Sequence, residues 1–297
     1  MVACIPYYQC RTHVRRAVQS LLDQTHRNIT VVVVNDNDPE QPWDLLEDIR
    51  DPRLVRFSLL VNHGPYFANA VVLNACTAPY FLIQDADDWS ASTRVATLLE
   101  RLESEGSDLA ISAQPQYVEY GHGNKVLDVR WATVSCNCME GRRFVVRPRV
   151  APEFAYRVPH AGLFRSNSIR RVGGYYGGFR IAYDTLLTNL ILMTGRVSHV
   201  AQPLYYRLVR PESLTHSPLT GFRSAHARKV HRAIVALYRR CFSWYSEYLA
   251  GRVDSRRLGE VIRGSIARNI SASDSHQLAM ETQRLKQALR TCGLESS

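Results

Sequence analysis

A short apolar run that stops abruptly on acid constrains this chain more than any other stretch: Tyr80-Phe81-Leu82-Ile83-Gln84-Asp85-Ala86-Asp87-Asp88-Trp89. An apolar segment of this length, entered after Pro79 and left through aspartates, is the pattern of a central strand in an α/β sheet. Open α/β sheets bind ligands where such strands end. Asp85 and Asp87 are two apart, and an extended backbone puts side chains at that spacing on one side. Two hard oxygen donors converging there suit Mg²⁺ or Mn²⁺ and, through the metal, a diphosphate. The same segment also reads as a solvated turn whose carboxylates cap a following helix at Ser90 or Ser92. The segment alone leaves both readings open.

The surrounding chain alternates strand and helix. Val2 to Ile5 is a short apolar strand closed by Pro6, and Val14, Ala17, Val18, Leu21 and Leu22 recur at helical spacing after it. Ile29 to Val34 is a β-branched strand that also ends on acid, in Asn35-Asp36-Asn37-Asp38. A short helix is expected from Pro42 to Glu47, a third strand over Leu54 to Val61, turn chemistry in Asn62-His63-Gly64-Pro65, and a helix over Tyr66 to Cys76. Beyond Trp89, Ser92 caps a predicted helix carrying Val95, Leu98, Leu99 and Leu102, and Asp108 to Ser112 is a strand. This alternation argues for a parallel, doubly wound sheet up to about residue 113. From Gln114 to Pro159 shorter runs (116–120, 126–131, 143–146) read as antiparallel strands covering the cleft. Asp184 opens an apolar helix that Gly195 ends, Val197 to Tyr206 is a further strand region, and from about Phe222 to Leu289 the pattern is helical. The organisation expected is a domain over 1–216, with halves meeting near 113, followed by a helical region over 217–297.

Composition removes whole classes. Hydrophobic residues at 45% and charged residues at 22% are globular values, which excludes disordered and fibrous chains. No run approaches the roughly 18 apolar residues of a membrane span. Tyr7 to Arg16 are polar and basic where a signal peptide needs an apolar core, so a cytoplasmic location is expected. The seven cysteines lack a Cys-x-x-Cys spacing and read as free thiols. The formal charge of +10, with Arg-rich stretches near 142–149 and 223–240, leaves open an anionic membrane face or a phosphorylated substrate. Arginine far outnumbers lysine, so a coding bias that places arginine on solvated faces accounts for the excess equally well.

With these segments in order, the chain resembles a family 2 glycosyltransferase of the GT-A fold over roughly residues 1–216. Ile5-Pro6-Tyr7-Tyr8-Gln9 is similar to the family's first strand and loop, and Ser20-Leu21-Leu22-Asp23-Gln24-Thr25 to its first helix. Val31 to Asp36, Asn62-x-Gly64, Tyr80 to Asp88, and Val172-Gly173-Gly174-Tyr175 with Asp184 follow in the family's order. Gln84 to Ser90 and Ser213-Leu214-Thr215 are similar to one subgroup. The resemblance implies a GT-A-type sheet with helices on both faces and a C-terminal helical appendage.

It also implies a metal-dependent, inverting transfer of one sugar from a nucleotide-diphosphate donor, UDP favoured, by a hexosyltransferase-type enzyme. Asp36 matches the acid that contacts the base, with Pro6, Tyr7 and Asn62 in the same pocket. Asp85 and Asp87 match the Asp-x-Asp motif that binds Mn²⁺ or Mg²⁺, Asp85 also lying near the ribose or sugar. Asp184 matches the general base, and Arg207 and Arg210 stand where a cation near the phosphates is expected. Asp88, Trp89 and His160 are candidates for acceptor contact or for supporting these groups. The acceptor, a glycan, natural product or peptide, stays open, as does peripheral membrane contact; nucleic acid is not an expected partner.

Three positions depart from the family pattern: Asn35 for the first of two Asp, Asn69 for Arg, and Tyr183 for Glu before the base. No Gln-x-x-Arg-Trp motif is present, so a processive synthase is not expected. Each assignment has a plainer alternative: Asp36 as a loop cap, Asp184 as a helix N-cap, the arginines as surface charge, His160 as a structural histidine, Trp89 as packing. Two other classes remain, a sugar nucleotidyltransferase and a non-catalytic transferase-like binding protein. The first needs a Gly-rich, Arg- and Lys-bearing loop after the opening strand, which Pro6 to Cys10 is not.

Overall fold

Four strands that begin the chain lie side by side and carry the cleft on their carboxyl ends. In the computed structural model these are β1 (Val2–Tyr7), β2 (Thr30–Asn35), β3 (Leu54–Ser58) and β4 (Tyr80–Ile83), with helices α1 (Val14–Leu22) and α2 (Pro65–Ala75) between them. Residues 1–118, 128–130, 139–140, 143–144, 150, 152, 154, 158–210, 213–214, 217, 220–221 and 224–293 are described. β5 (Trp89–Ser90), α3 (Arg94–Ser104), β6 (Leu109–Ala113), β7 (Gln116–Val118), β8 (Asp128–Arg130), β9 (Met139–Glu140) and β10 (Arg143–Phe144) follow. β11 (Leu163–Arg165), α4 (Ser166–Arg171), α5 (Tyr183–Thr194), β12 (Val197–Pro203) and β13 (Tyr205–Val209) complete the sheets. The main sheet has the order β12-β6-β11-β4-β1-β2-β3.

Period-two alternation explains why this sheet is covered on both faces. Val2 and Cys4 of β1, Val32 and Val34 of β2, and Phe81 and Ile83 of β4 point into one apolar layer. Ala3 and Ile5, Val31 and Val33, and Leu82 point into the other, against α1 and α3. The sheet is parallel except at one strand. β11 pairs antiparallel with both β4 and β6, and it lies beyond the segment up to about residue 113 for which a parallel sheet is expected. Gly162 permits that insertion, since a Cβ there would lie 2.6 Å from the Ala110 carbonyl oxygen. The strand enters after His160 and so carries that residue to the centre of the sheet's ligand edge.

Other expectations shift locally. Helix α3 starts at Arg94 with Thr93, not Ser92, in the capping position and no side-chain cap; the Ser92 carbonyl instead accepts the Thr25 N–H at 2.8 Å. Asp184 is not the cap of α5 either. Ala182 occupies that position with φ 60°, and Asp184 sits in the first turn. The expected helix near residue 43 is a 3-10 turn over Trp43–Leu46. The strand expected over 54–61 ends at Ser58. The region from Val197 is two strands: β12 lies in the main sheet, while β13 joins a second sheet of order β5-β13-β7-β8. The reading of 116–131 as antiparallel holds where β7 meets β8. Parts of the expected strands at 126–131 and 143–146, most of the basic stretch 142–149, and Thr215 lie outside the described residues.

The C-terminal helices α6 (Ala225–Leu249), α7 (Ser255–Ala267) and α8 (Ala272–Thr291) are each started by a side-chain cap, from Ser224, Asp254 and Ser271. Ile234, Leu237, Tyr238, Ile262, Ile266 and Leu285 are buried in the same apolar layer as α2 and α5. Burying each such side chain contributes about 1.5–3 kcal/mol. The helical region is therefore welded to the sheet through a shared core. Among the described residues, no helix is long and apolar enough to cross a membrane.

Candidate active site

The aspartates that end β2 and β4 and the one that begins α5 converge on the carboxyl edge of the sheet, where they divide into three groups. In the central group His160 lies between two carboxylates. Its Nε2 is 3.3 Å from Asp85 Oδ2 and its Nδ1 is 3.1 Å from Asp184 Oδ2. Tyr66 Oη donates to Asp184 Oδ1 at 2.8 Å, and Tyr205 Oη accepts the Asp85 N–H at 3.0 Å. Burial disfavours a charged imidazole, but the carboxylates on either side outweigh it and raise the His160 pKa to about 10. Burial likewise opposes ionisation of Asp184, yet the His160 cation and the Tyr66 hydroxyl bring its pKa down to about 2. Asp85 is also lowered, burial being overcome by His160 and then Arg207. The group therefore holds two carboxylates ionised around one internal cation.

The second group is built on Asp87. Arg210 Nε donates to Asp87 Oδ2 at 2.7 Å and Arg16 Nη2 to the Asp87 carbonyl at 3.1 Å. The fork of Arg210 also reaches Cys10 Sγ at 2.8 Å, tying β13's end to the loop after β1. Asp85 and Asp87 thus meet different cations. Asp88 turns inward, 3% exposed, and takes the Leu208 N–H at 2.7 Å. Burial and the neighbouring Asp87 and Asp85 raise its pKa well above the ordinary value, and its place is that of a brace for β13. Trp89 packs with Tyr117 and stacks on Tyr206 at 5.5 Å, with the Arg16 guanidinium 3.8 Å from its ring centre. Beneath it Arg94, fully buried, donates to Gln84 Oε1, Ser90 Oγ and the Ile83 carbonyl, and fixes the end of β4.

In the third group the carboxylate is met by main-chain N–H groups. Asp36 Oδ1 accepts the His63 N–H at 2.8 Å and Oδ2 the Gly64 N–H at 2.7 Å. Gly64 adopts φ 92°, a left-handed geometry that suits glycine and lets two successive N–H groups converge. Asn62 Nδ2 donates to the Asp36 carbonyl at 3.0 Å, and Arg180 in turn donates to Asn62 Oδ1. Burial raises the Asp36 pKa to about 6 despite those N–H groups. Pro6 and Tyr7 run alongside, with the Tyr7 carbonyl accepting the Asp36 N–H at 2.9 Å and the Tyr7 hydroxyl donating to the Glu40 carbonyl at 2.9 Å.

At the departures from the family pattern, Asn35 Oδ1 accepts the Asp38 N–H, Asn69 Nδ2 donates to the Pro65 carbonyl, and the Tyr183 hydroxyl donates to the Gly174 carbonyl. The structure adds Tyr66, Tyr205, Arg180 and Arg94 to the site. Tyr66 had a signal in the sequence: it opens a helix directly after the Asn62-x-Gly64 turn.

The donor set fits a hard divalent cation. Among the described residues no three His, Cys, Asp or Glu side chains form a complete metal cage, and an ion of the Mg²⁺ type needs only one or two protein carboxylates, completing its shell from substrate phosphates and water.

The chain is similar to known glycosyltransferases in sequence and in fold. Residues 2–172 match the model of glycosyl transferase family 2. The Escherichia coli UDP-Glc:alpha-D-GlcNAc-diphosphoundecaprenol beta-1,3-glucosyltransferase WfaP is 26% identical over 101 residues, covering 34% of this chain and 40% of WfaP. The Bacillus subtilis glycosyltransferase EpsJ is 25% identical over 249 residues, covering 79% of this chain and 68% of EpsJ. Residues 1–349 of Staphylococcus aureus TarS, solved in complex with UDP, share the fold with a TM-score of 0.52 at 15% identity, covering 98% of this chain and 89% of that one.

Proposed function

The chain belongs to glycosyl transferase family 2, and from that premise we propose that it transfers a single sugar, with inversion, from a nucleotide-diphosphate donor to a hydroxyl-bearing acceptor. The observation that carries the proposal is the placement of Asp184 beside Asp85 through His160, at 3.1 Å and 3.3 Å. That arrangement puts one ionised carboxylate next to the donor-side acid. In this reading the acceptor oxygen attacks the anomeric carbon, the bond from that carbon to the diphosphate breaks with its electron pair, and the hydroxyl proton passes to Asp184. A carboxylate with a pKa of about 2 is a weak base. Proton transfer therefore follows as the attacking oxygen gains a bond and becomes strongly acidic. Tyr66 and His160 hold Asp184 in its ionised form and orient it throughout.

Asp36, fixed by His63 and Gly64, would receive the base, with Tyr7 and Asn62 alongside. Asp85 and Asp87 would hold Mn²⁺ or Mg²⁺, which when bound supplies a Lewis acid that stabilises charge on the leaving diphosphate. Arg207 and Arg210 would add fixed positive charge there. The names of the relatives favour a uridine donor: WfaP is a UDP-Glc enzyme and TarS was solved with UDP. The acceptor class is a glycan, natural product or peptide, and the location proposed is the cytoplasm.

The test is donor turnover across UDP-, GDP- and dTDP-sugars with Mn²⁺, with Mg²⁺ and with chelator, nucleotide binding being followed in the same samples. Cation-dependent release of one nucleotide, lost in Asp87→Ala, supports the reading. If no nucleotide binds with either cation present, the site is not a donor site and a non-catalytic binding role takes its place.

A further inference from the structure

One face of α8 carries two carboxylates in an otherwise apolar stripe, and both reach the loop that holds Asp36. Leu278, Leu285 and Leu289 of that face pack into the core, and Asp274 and Glu281 lie seven residues apart on it, two helical turns along one side. Glu281 is 1% exposed. Its Oε1 accepts the Leu60 N–H at 2.8 Å, and its Oε2 is paired with Arg284. Arg284 itself reaches the Ser58 carbonyl at 3.3 Å and lies over the Phe57 ring. Asp274 Oδ1 is 3.8 Å from His63 Nδ1 while its Oδ2 accepts the Tyr176 hydroxyl at 2.9 Å. His63 stacks on Phe67 with ring centres 4.1 Å apart.

The loop in question is short and does most of the work around Asp36. Between the end of β3 at Ser58 and the start of α2 at Pro65, the side chain of Asn62 and the N–H groups of His63 and Gly64 all bond to Asp36. Within the same segment Leu59 is buried in the core, but Leu60 and Val61 are exposed, so apolar packing holds the start of the loop and not the stretch that follows. Beyond Leu59 polar contacts help to anchor it, and two of them come from α8. An apolar residue in place of Glu281 would serve burial at least as well, because a buried carboxylate must offset its desolvation with its hydrogen bonds. What Glu281 adds over an apolar residue is an acceptor for the Leu60 N–H and a partner for Arg284.

We propose that α8 is a positioning element of the donor site, fixing the 59–64 loop through Glu281 and Asp274 and so setting affinity for the nucleotide. The inference rests on the reading of Asp36 as the nucleotide-base contact. It makes the C-terminal helical region a working part of that site.

The experiment measures UDP binding by calorimetry in Mn²⁺ on the full chain, donor KM and kcat, and hydrogen exchange across residues 59–64. The variants are Glu281→Leu, Glu281→Gln and, as a packing control on the same helix face, Leu285→Ala. Glu281→Leu keeps the packing and leaves Arg284 in solvent contact, so it is expected to stay folded. It should weaken UDP binding about fivefold or more, raise donor KM with kcat within about twofold, and speed exchange of the Leu60 amide. Glu281→Gln keeps an acceptor for Leu60 and should recover most of the affinity. Leu285→Ala should lower the melting temperature without moving UDP affinity measured well below it. UDP affinity unchanged in Glu281→Leu while the wild type binds UDP overturns the positioning role and leaves the transferase reading intact. Failure of the wild type to bind any nucleotide overturns both.

Discussion

Two ends of one cleft carry the same side chain under opposite control. Asp184 is flanked by a cation and a hydroxyl and is brought down to a pKa of about 2, whereas Asp36 is held by main-chain N–H groups and is raised to about 6. Burial opposes ionisation at both. The difference is that a counter-ion at 3.1 Å outweighs desolvation, while two amide dipoles and the charge of Arg180 offset only part of it. In the roles proposed above, the carboxylate that would take a proton is kept ionised by His160, and the one that would bind a neutral base has no full counter-charge and is held instead by geometry.

Removing Asp184 should break this comparison most severely. Asp184→Asn keeps the shape and the Tyr66 contact but deletes the proton acceptor, and turnover is expected to fall about 10²–10⁴-fold with UDP affinity within about twofold. Turnover within tenfold of the wild type, measured by nucleotide release with acceptor present, would assign the base elsewhere.

Next comes His160, the cation shared by two acids. Replacing it with leucine leaves Asp85 and Asp184 buried together without the cation between them, a loss of about 3 kcal/mol or more by analogy with broken buried pairs, read as a shift in the urea midpoint. His160→Gln gives a pH signature as well. The histidine's pKa is raised from 6.5 to about 10, so its stabilising contribution is fully present below 6.5 and is lost as pH rises through 10. In chelator the wild type should therefore lose stability between about pH 6.5 and 10 relative to the glutamine variant. Parallel pH curves would mean the imidazole is not held as a cation.

At the other end of the cleft the pH dependence has another window. Asp36 takes up a proton as pH falls through about 6, and that raised pKa favours folding below 3.8 and ceases to do so as pH rises through 6. A protonated acid cannot accept from His63 and Gly64 as a carboxylate does, so UDP affinity should fall severalfold between pH 7 and 5. Asp36→Asn should flatten that profile, and a slope preserved in the variant would place the titrating group elsewhere. The mildest change is Tyr66→Phe, which removes one hydrogen bond to a charged group worth about 1.5–3 kcal/mol. It should lower kcat with little effect on donor KM.

Much of this arrangement was legible in local pattern. Continuous apolar runs marked β1, closed by Pro6, and β2 and β4, closed by acid, and the Gly64 turn and the helices at 65 and 183 followed from punctuation by glycine, proline and apolar spacing. The insertion of β11 was not, because a three-residue strand beginning after Gly162 carries too little periodicity to stand out. Trp89 and Asp88, each open to an acceptor reading, are engaged by Tyr206 and Arg16 and by the Leu208 N–H. These are partners that sequence spacing does not reveal.

By itself the sequence determined the doubly covered sheet and the edge on which its acids gather, because side-chain alternation along a strand is a local property of the backbone. Tertiary structure alone decided which charge answers which. His160 meets Asp85 from 75 residues away and Glu281 meets Leu60 from 221. Electrostatic and hydrogen-bond energies depend on distance in space and on burial, and neither is written in the spacing of residues along the chain.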